Sequence, residues 1–244
     1  MPEADPVMDE GWELVWEDDF DGPGLDLARW TALQRGANPN GELQAYDPDE
    51  VWVEDGCLVL RSRRRRWTGQ GVTRGYTSGL VSTRGKFAVE TGRVEVRAQL
   101  PAGQGLWPAH WLLASDESWP PAIILMELLG DDPHTVHMTT ETGAEPDVVF
   151  DRGSFSGPDF SADFHTFGVE WTADAVRYDV DGDVRHSTDG GRDGLDRPFA
   201  IVLNTAVGGQ WPFGRPGPGD PDPASDLPQL HRIDRVRVLH RVGG

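Results

Sequence analysis

The stretch Trp119-Pro120-Pro121-Ala122-Ile123-Ile124-Leu125-Met126-Glu127-Leu128-Leu129-Gly130 constrains this chain more than any other. It is an apolar run holding a single acid, opened by two prolines and closed by a glycine turn signal, which marks a buried β-strand. A strand sends alternate side chains to one face, so Ala122 and Ile124 share a face. Only a β-bulge near Met126 returns Glu127 to that face. The turn Gly130-Asp131-Asp132-Pro133 then leads into Thr135–Glu141, which predicts an antiparallel hairpin. In such a hairpin the end of the second strand lies opposite the start of the first, so Glu141 is expected beside Ala122. His137, Thr139 and Glu141 have one parity and should share a face.

The rest of the chain agrees with a β architecture. Gly11–Phe20 alternates apolar and polar residues up to the turn Asp21-Gly22-Pro23-Gly24, and Gly92–Ala98 alternates as cleanly. Val51–Glu54, Asp55-Gly56 and Cys57–Leu60 form a strong hairpin signal. Short strands, frequent turns and almost no amphipathic helical periodicity point to an all-β sandwich, read as one domain over residues 11–244 with no linker or internal repeat. Met1–Glu10 is acidic and lacks a hydrophobic segment; it is expected to be a disordered tail and not a signal peptide.

The formal charge of −19 argues against nucleic acid or an anionic membrane as partner, since both need the opposite sign. No stretch is long and apolar enough to span a bilayer as a helix. Cys57 is the only cysteine, which excludes an internal disulfide. Arg61 and Arg63–Arg66 stand out in so acidic a chain, and an exposed strand edge that balances local charge accounts for them better than phosphate binding. Lys86 is the only lysine, a bias that adaptation to high salt and a GC-rich coding sequence explain equally well.

Taken in chain order, a series of segments resembles the laminarinase-like glycoside hydrolases of family sixteen. They are Trp12–Phe20, Glu42-Leu43-Gln44-Ala45-Tyr46, Gly92–Ala98, Gly105-Leu106-Trp107-Pro108-Ala109-His110-Trp111, Phe164–Trp171 and Leu203–Pro212. The resemblance implies a β-jelly-roll of two curved antiparallel sheets with an open concave glucan cleft, and retaining endo-hydrolysis of β-1,3- or mixed-linkage glucan. It places Glu127 on the general acid/base, Ala122 on the nucleophile and Ile124 on the auxiliary Asp, so two of the family's three catalytic carboxylates are missing. Glu141 stands where the family usually carries His. Asn40, Glu42, Trp107, His110, His137 and Trp211 are the implied glucan-binding residues, while Trp111 is read as core. No cofactor is required. A structural calcium on Asp234, with Gly56 as a carbonyl donor, is what many family members would suggest, and so is an extracellular location.

Retaining hydrolysis needs two carboxyls about 5–5.5 Å apart, one attacking and one protonating. Ala122 can do neither. Three functions remain open: a glucan-binding cleft that has lost hydrolysis, a glucanase in which Glu141 serves as substitute nucleophile, and a repurposed pocket in which Glu127 and Glu141 act as base on a small apolar substrate. The expected partner is accordingly a β-glucan or a small molecule, bound by a monomer.

Overall fold

The computed structural model describes residues 11–172, 175–189, 194–211 and 227–242. The expected tail Met1–Glu10 and most of the loop Pro216–Pro228 lie outside them. The described chain is an all-β jelly-roll of two sheets. The first has seven strands in the order Asp147–Ser156, Thr135–Ala144, Ala122–Leu128, Leu106–Ala114, Phe199–Val207, Leu80–Ser82 and Thr31–Ala32. The second has ten. Eight follow the order Asp183–Asp189, Ala175–Val180, His165–Trp171, Gly92–Gln99, Gln229–Arg241, Cys57–Gly69, Val72–Ser78 and Gln44–Tyr46. Trp12–Asp18 adds to Gln229–Arg241, and Val51–Glu54 adds to Cys57–Gly69. Pairing is antiparallel except between Gln44–Tyr46 and Val72–Ser78.

Alternation builds the core. Val94, Val96 and Ala98 from one sheet meet Leu112, Ala114, Ile123, Leu125 and Leu203 from the other, while the intervening residues of each strand face outward. The hairpin expected at Asp55-Gly56 forms with φ of 53° and 71°, the left-handed pair that a two-residue turn matched to strand twist demands. Gly130 is fixed by space: a Cβ there would lie 2.3 Å from the Gly103 carbonyl oxygen. The arginine run belongs to Cys57–Gly69, where Arg61 and Arg63 donate to the fully buried Glu50 at 2.7 and 2.9 Å. These bonds hold the Glu50 carboxyl below its ordinary range despite burial, the largest influence on it. The run therefore neutralises a buried acid as well as covering a sheet surface.

His110 is a correction. Expected in the cleft, it is fully buried between the sheets, stacked 5.0 Å from His231 with the two Nε2 atoms 2.9 Å apart. It pairs with Met126, a core residue, and alternation along Leu106–Ala114 allows it no other face. Phe167 meets its ring edge-on, and Thr205 Oγ1 lies 3.2 Å from His231 Nδ1.

Burial holds both imidazoles neutral, His231 down to about 3 and His110 well below the usual value, with the neighbouring His231 adding to the effect. Because these folded-state values are depressed, the stability they confer is complete above about pH 6.5 and is lost as pH falls toward 3, where the unfolded chain takes up protons first. The double variant His110→Leu/His231→Leu should therefore lose less stability than the parent between pH 6.5 and 4. Urea midpoints at several pH values test this, and identical slopes for the two proteins would mean that the pair titrates normally.

Candidate active site

The outward face of the seven-stranded sheet carries the residues that the sequence singled out. Ala122 pairs with Glu141, Ile124 with Thr139 and Glu127 with His137, and the register slips once between Ile124 and Glu127. On the other side Ala122 pairs with Leu113, Ile124 with Trp111 and Glu127 with Ala109, with the slip between Ile124 and Met126. Ile123, Leu125, Met126 and Leu128 all point into the core. The bulge thus puts two consecutive residues inward and returns Glu127 to the face of Ala122 and Ile124.

Glu127 is 8% exposed. Trp107 Nε1 donates to its Oε1 at 2.9 Å, and Trp211 Nε1 donates to its Oε2 at 3.2 Å. Burial pushes its carboxyl up to about 7; the two indole bonds oppose the shift, and the charges of Glu141 and Glu42 add to it. Around neutral pH the group is divided between acid and carboxylate, which suits a general acid. His137 packs beside it, its ring centroid 4.5 Å from that of Trp211.

Glu141 is equally buried, and Trp119 Nε1 donates to its Oε2 at 2.5 Å. Burial raises its carboxyl, opposed by the Trp119 bond and the Arg152 charge. Glu42 is buried at the far side, where Gln44 Nε2 donates to it at 2.7 Å; burial raises it too, against Gln44, Arg35 and Asn40. Asn40 stands exposed at the rim.

Trp111, read from the sequence as core, lies instead on the cleft face between Ile124 and Val202, half-buried. Its Nε1 donates to Asn204 Oδ1 at 2.8 Å, and Asn204 Nδ2 donates to Tyr46 Oη at 2.9 Å. The parity that makes Trp107 a cleft residue makes Trp111 one as well. Trp119, Phe150 and Arg152 were not singled out from the sequence. Phe150 and Arg152 share this face because they pair with Glu141 and Thr139.

Residues 43–220 match the pattern described as Glycosyl hydrolases family 16. The chain belongs to that family. It is 36% identical to the beta-glucanase of Rhodothermus marinus, over 95% of this chain and 86% of that protein. It is 37% identical to the glucan endo-1,3-beta-glucosidase of Cryptopygus antarcticus, over 84% of each. Among solved structures, the laminarinase catalytic domain of Thermotoga maritima matches with a TM-score of 0.86 at 35% identity, covering 96% of this chain and 100% of that one. As a member of family sixteen this chain carries a β-glucanase scaffold, and the relatives just named are glucan hydrolases by description.

The calcium that the resemblance implies would sit at Asp234. Asp234 lies next to the residue facing Leu58, beside the Asp55-Gly56 turn, and its Oδ1 is buried with no hydrogen-bond partner among the described residues. One oxygen donor for a hard cation is therefore in place. Oδ2 is already paired with the Arg97 guanidinium, and no three His, Cys, Asp or Glu side chains converge among the described residues. Any further donors would have to be backbone carbonyls such as that of Gly56.

Proposed function

We propose that this family-sixteen chain binds β-glucan in its cleft and no longer hydrolyses it. The observation that carries the reading is the methyl group of Ala122 on the cleft face, in line with Ile124 and Glu127, where retaining cleavage requires a second carboxylate. Glu127 can protonate a leaving oxygen, yet nothing on its own strand can attack the anomeric carbon. Glu141 makes a poor substitute, because a nucleophile must be ionised, while burial raises this carboxyl and an indole N–H occupies one of its oxygens. The family membership and the glucan-active relatives support β-1,3- or mixed-linkage glucan as the ligand. A calcium ion at Asp234 and Gly56 would be structural, remote from this chemistry.

A second reading rests on Glu127 alone. A carboxyl raised to about 7 beside Ile124 and Ala109 is suited to take a proton from a small apolar substrate. Calorimetric titration with laminarin and a reducing-end assay on the same sample separate the possibilities. Saturable binding with no released ends is the expected result. Turnover that disappears in Glu141→Gln would establish the substitute nucleophile instead, and absence of any binding would leave the proton-abstraction reading.

A further inference from the structure

In the glucan cleft, whose assignment this inference rests on, the aromatic surface open to a ligand is not where the sequence suggested. Trp107 and Trp211 are only 6% and 8% exposed, and both turn their N–H edges to Glu127. They hold a carboxyl and offer little face to a sugar. Trp119 is 46% exposed, and its one polar atom is tied to Glu141. Glu141 lies directly between Ala122 and Phe150 in the sheet, and Phe150 is 36% exposed on the same face. Arg152 stacks its guanidinium 5.6 Å from the Phe150 ring centroid, on the side toward Thr139.

We propose that Trp119, held by Glu141, is a stacking platform at the Ala122 end of the cleft for the apolar face of one pyranose ring of a β-glucan. Glu141 is then a positioning residue. A carboxyl oxygen that accepts an indole N–H fixes the ring and leaves the π-face to the ligand. An indole already held in place loses less side-chain freedom when a sugar binds, which favours affinity. The neighbouring floor suits the C–H face of a pyranose, because Leu113, Ala122 and Phe150 are apolar in one row that crosses four adjacent strands, interrupted only by Glu141 itself. The carboxylate opposite Ala122 thus serves recognition at the point where the catalytic one is missing.

Titration calorimetry with laminari-oligosaccharides on the full chain tests the assignment, using Trp119→Ala, Glu141→Ala, Glu141→Gln and the double variant Trp119→Ala/Glu141→Ala. Trp119→Ala and Glu141→Ala should each weaken binding roughly tenfold. The double variant should be no weaker than either single one, because both remove the same platform. Glu141→Gln keeps an oxygen that accepts the indole N–H and should retain near-parental affinity, which a role for the charge itself would not allow. Equal binding by the parent and Trp119→Ala would overturn the platform while leaving the glucan cleft intact; no binding by the parent overturns the cleft assignment and the platform with it. Thermal midpoints close to the parent's confirm that the alanine variants are folded.

Discussion

The double variant Ala122→Glu/Ile124→Asp should hydrolyse β-1,3- or mixed-linkage glucan with retention of anomeric configuration, at a rate roughly 10³-fold or more above the parent. The new glutamate would project from the same sheet face as Glu127, and two glutamates on one strand face can lean together to the spacing of about 5–5.5 Å that the mechanism needs. Glu127 is already suited to its share of the work, being raised to about 7 and gripped by two indoles. The obstacle is charge. Position 122 faces Glu141 across the strand pair, so the new carboxyl would ionise against a like neighbour, and its pKa would rise when a nucleophile's should fall.

Adding Glu141→His removes that neighbour and should raise the rate further. Reducing-end release measures the rate, and NMR of the first-formed anomer gives the stereochemistry. A folded, glucan-binding double variant that stays inert, with or without the histidine, would show that positions 122 and 124 have been assigned wrongly.

The second large effect is on stability. The rise of Glu127 from 4.5 to about 7 corresponds to roughly 3 kcal/mol, at about 1.4 kcal/mol per pH unit. Because the folded-state value is raised, this stabilisation is fully present below about pH 4.5 and is lost as pH climbs through 7, where the buried carboxylate must ionise without a countercharge. Glu127→Gln cannot ionise. It surrenders one of two acceptor positions for the indoles, a loss of about 1 kcal/mol. The variant should therefore be slightly less stable than the parent at pH 4 and more stable by about 2 kcal/mol at pH 8. The difference between the two proteins at each pH isolates this group from the histidine pair and the other acids. A difference that does not change with pH would mean that Glu127 titrates like an exposed glutamate.

Much of this site could be read from residue order, because a hairpin fixes parity and register together. The sequence of Ala122–Glu141 was enough to place Glu141 opposite Ala122, and the need to bring Glu127 onto the same face implied the bulge now seen between Ile124 and Glu127. His110 and Trp111 went astray for one reason: strand parity was not carried through Leu106–Ala114. The resemblance put His110 in the cleft and Trp111 was read as core, although Trp107, Ala109 and Trp111 share a parity that excludes His110. The Trp119–Glu141 bond was beyond sequence reasoning. It joins residues 22 apart through a loop whose path no periodicity describes, and the register that sets Phe150 beside Glu141 comes from a second hairpin.

All seven residues of Ala122–Leu128 are buried. Such a strand has hydrocarbon on both sides, with one acid as its only exception. Acids at 122 and 124, which the resemblance implies for an active hydrolase, would share one face with Glu127, each disfavoured by the others' charge. Alanine and isoleucine at those positions carry no such crowding. On the proposed reading, loss of turnover and relief from charge crowding are one change, which selection for thermal endurance over catalysis would keep in place.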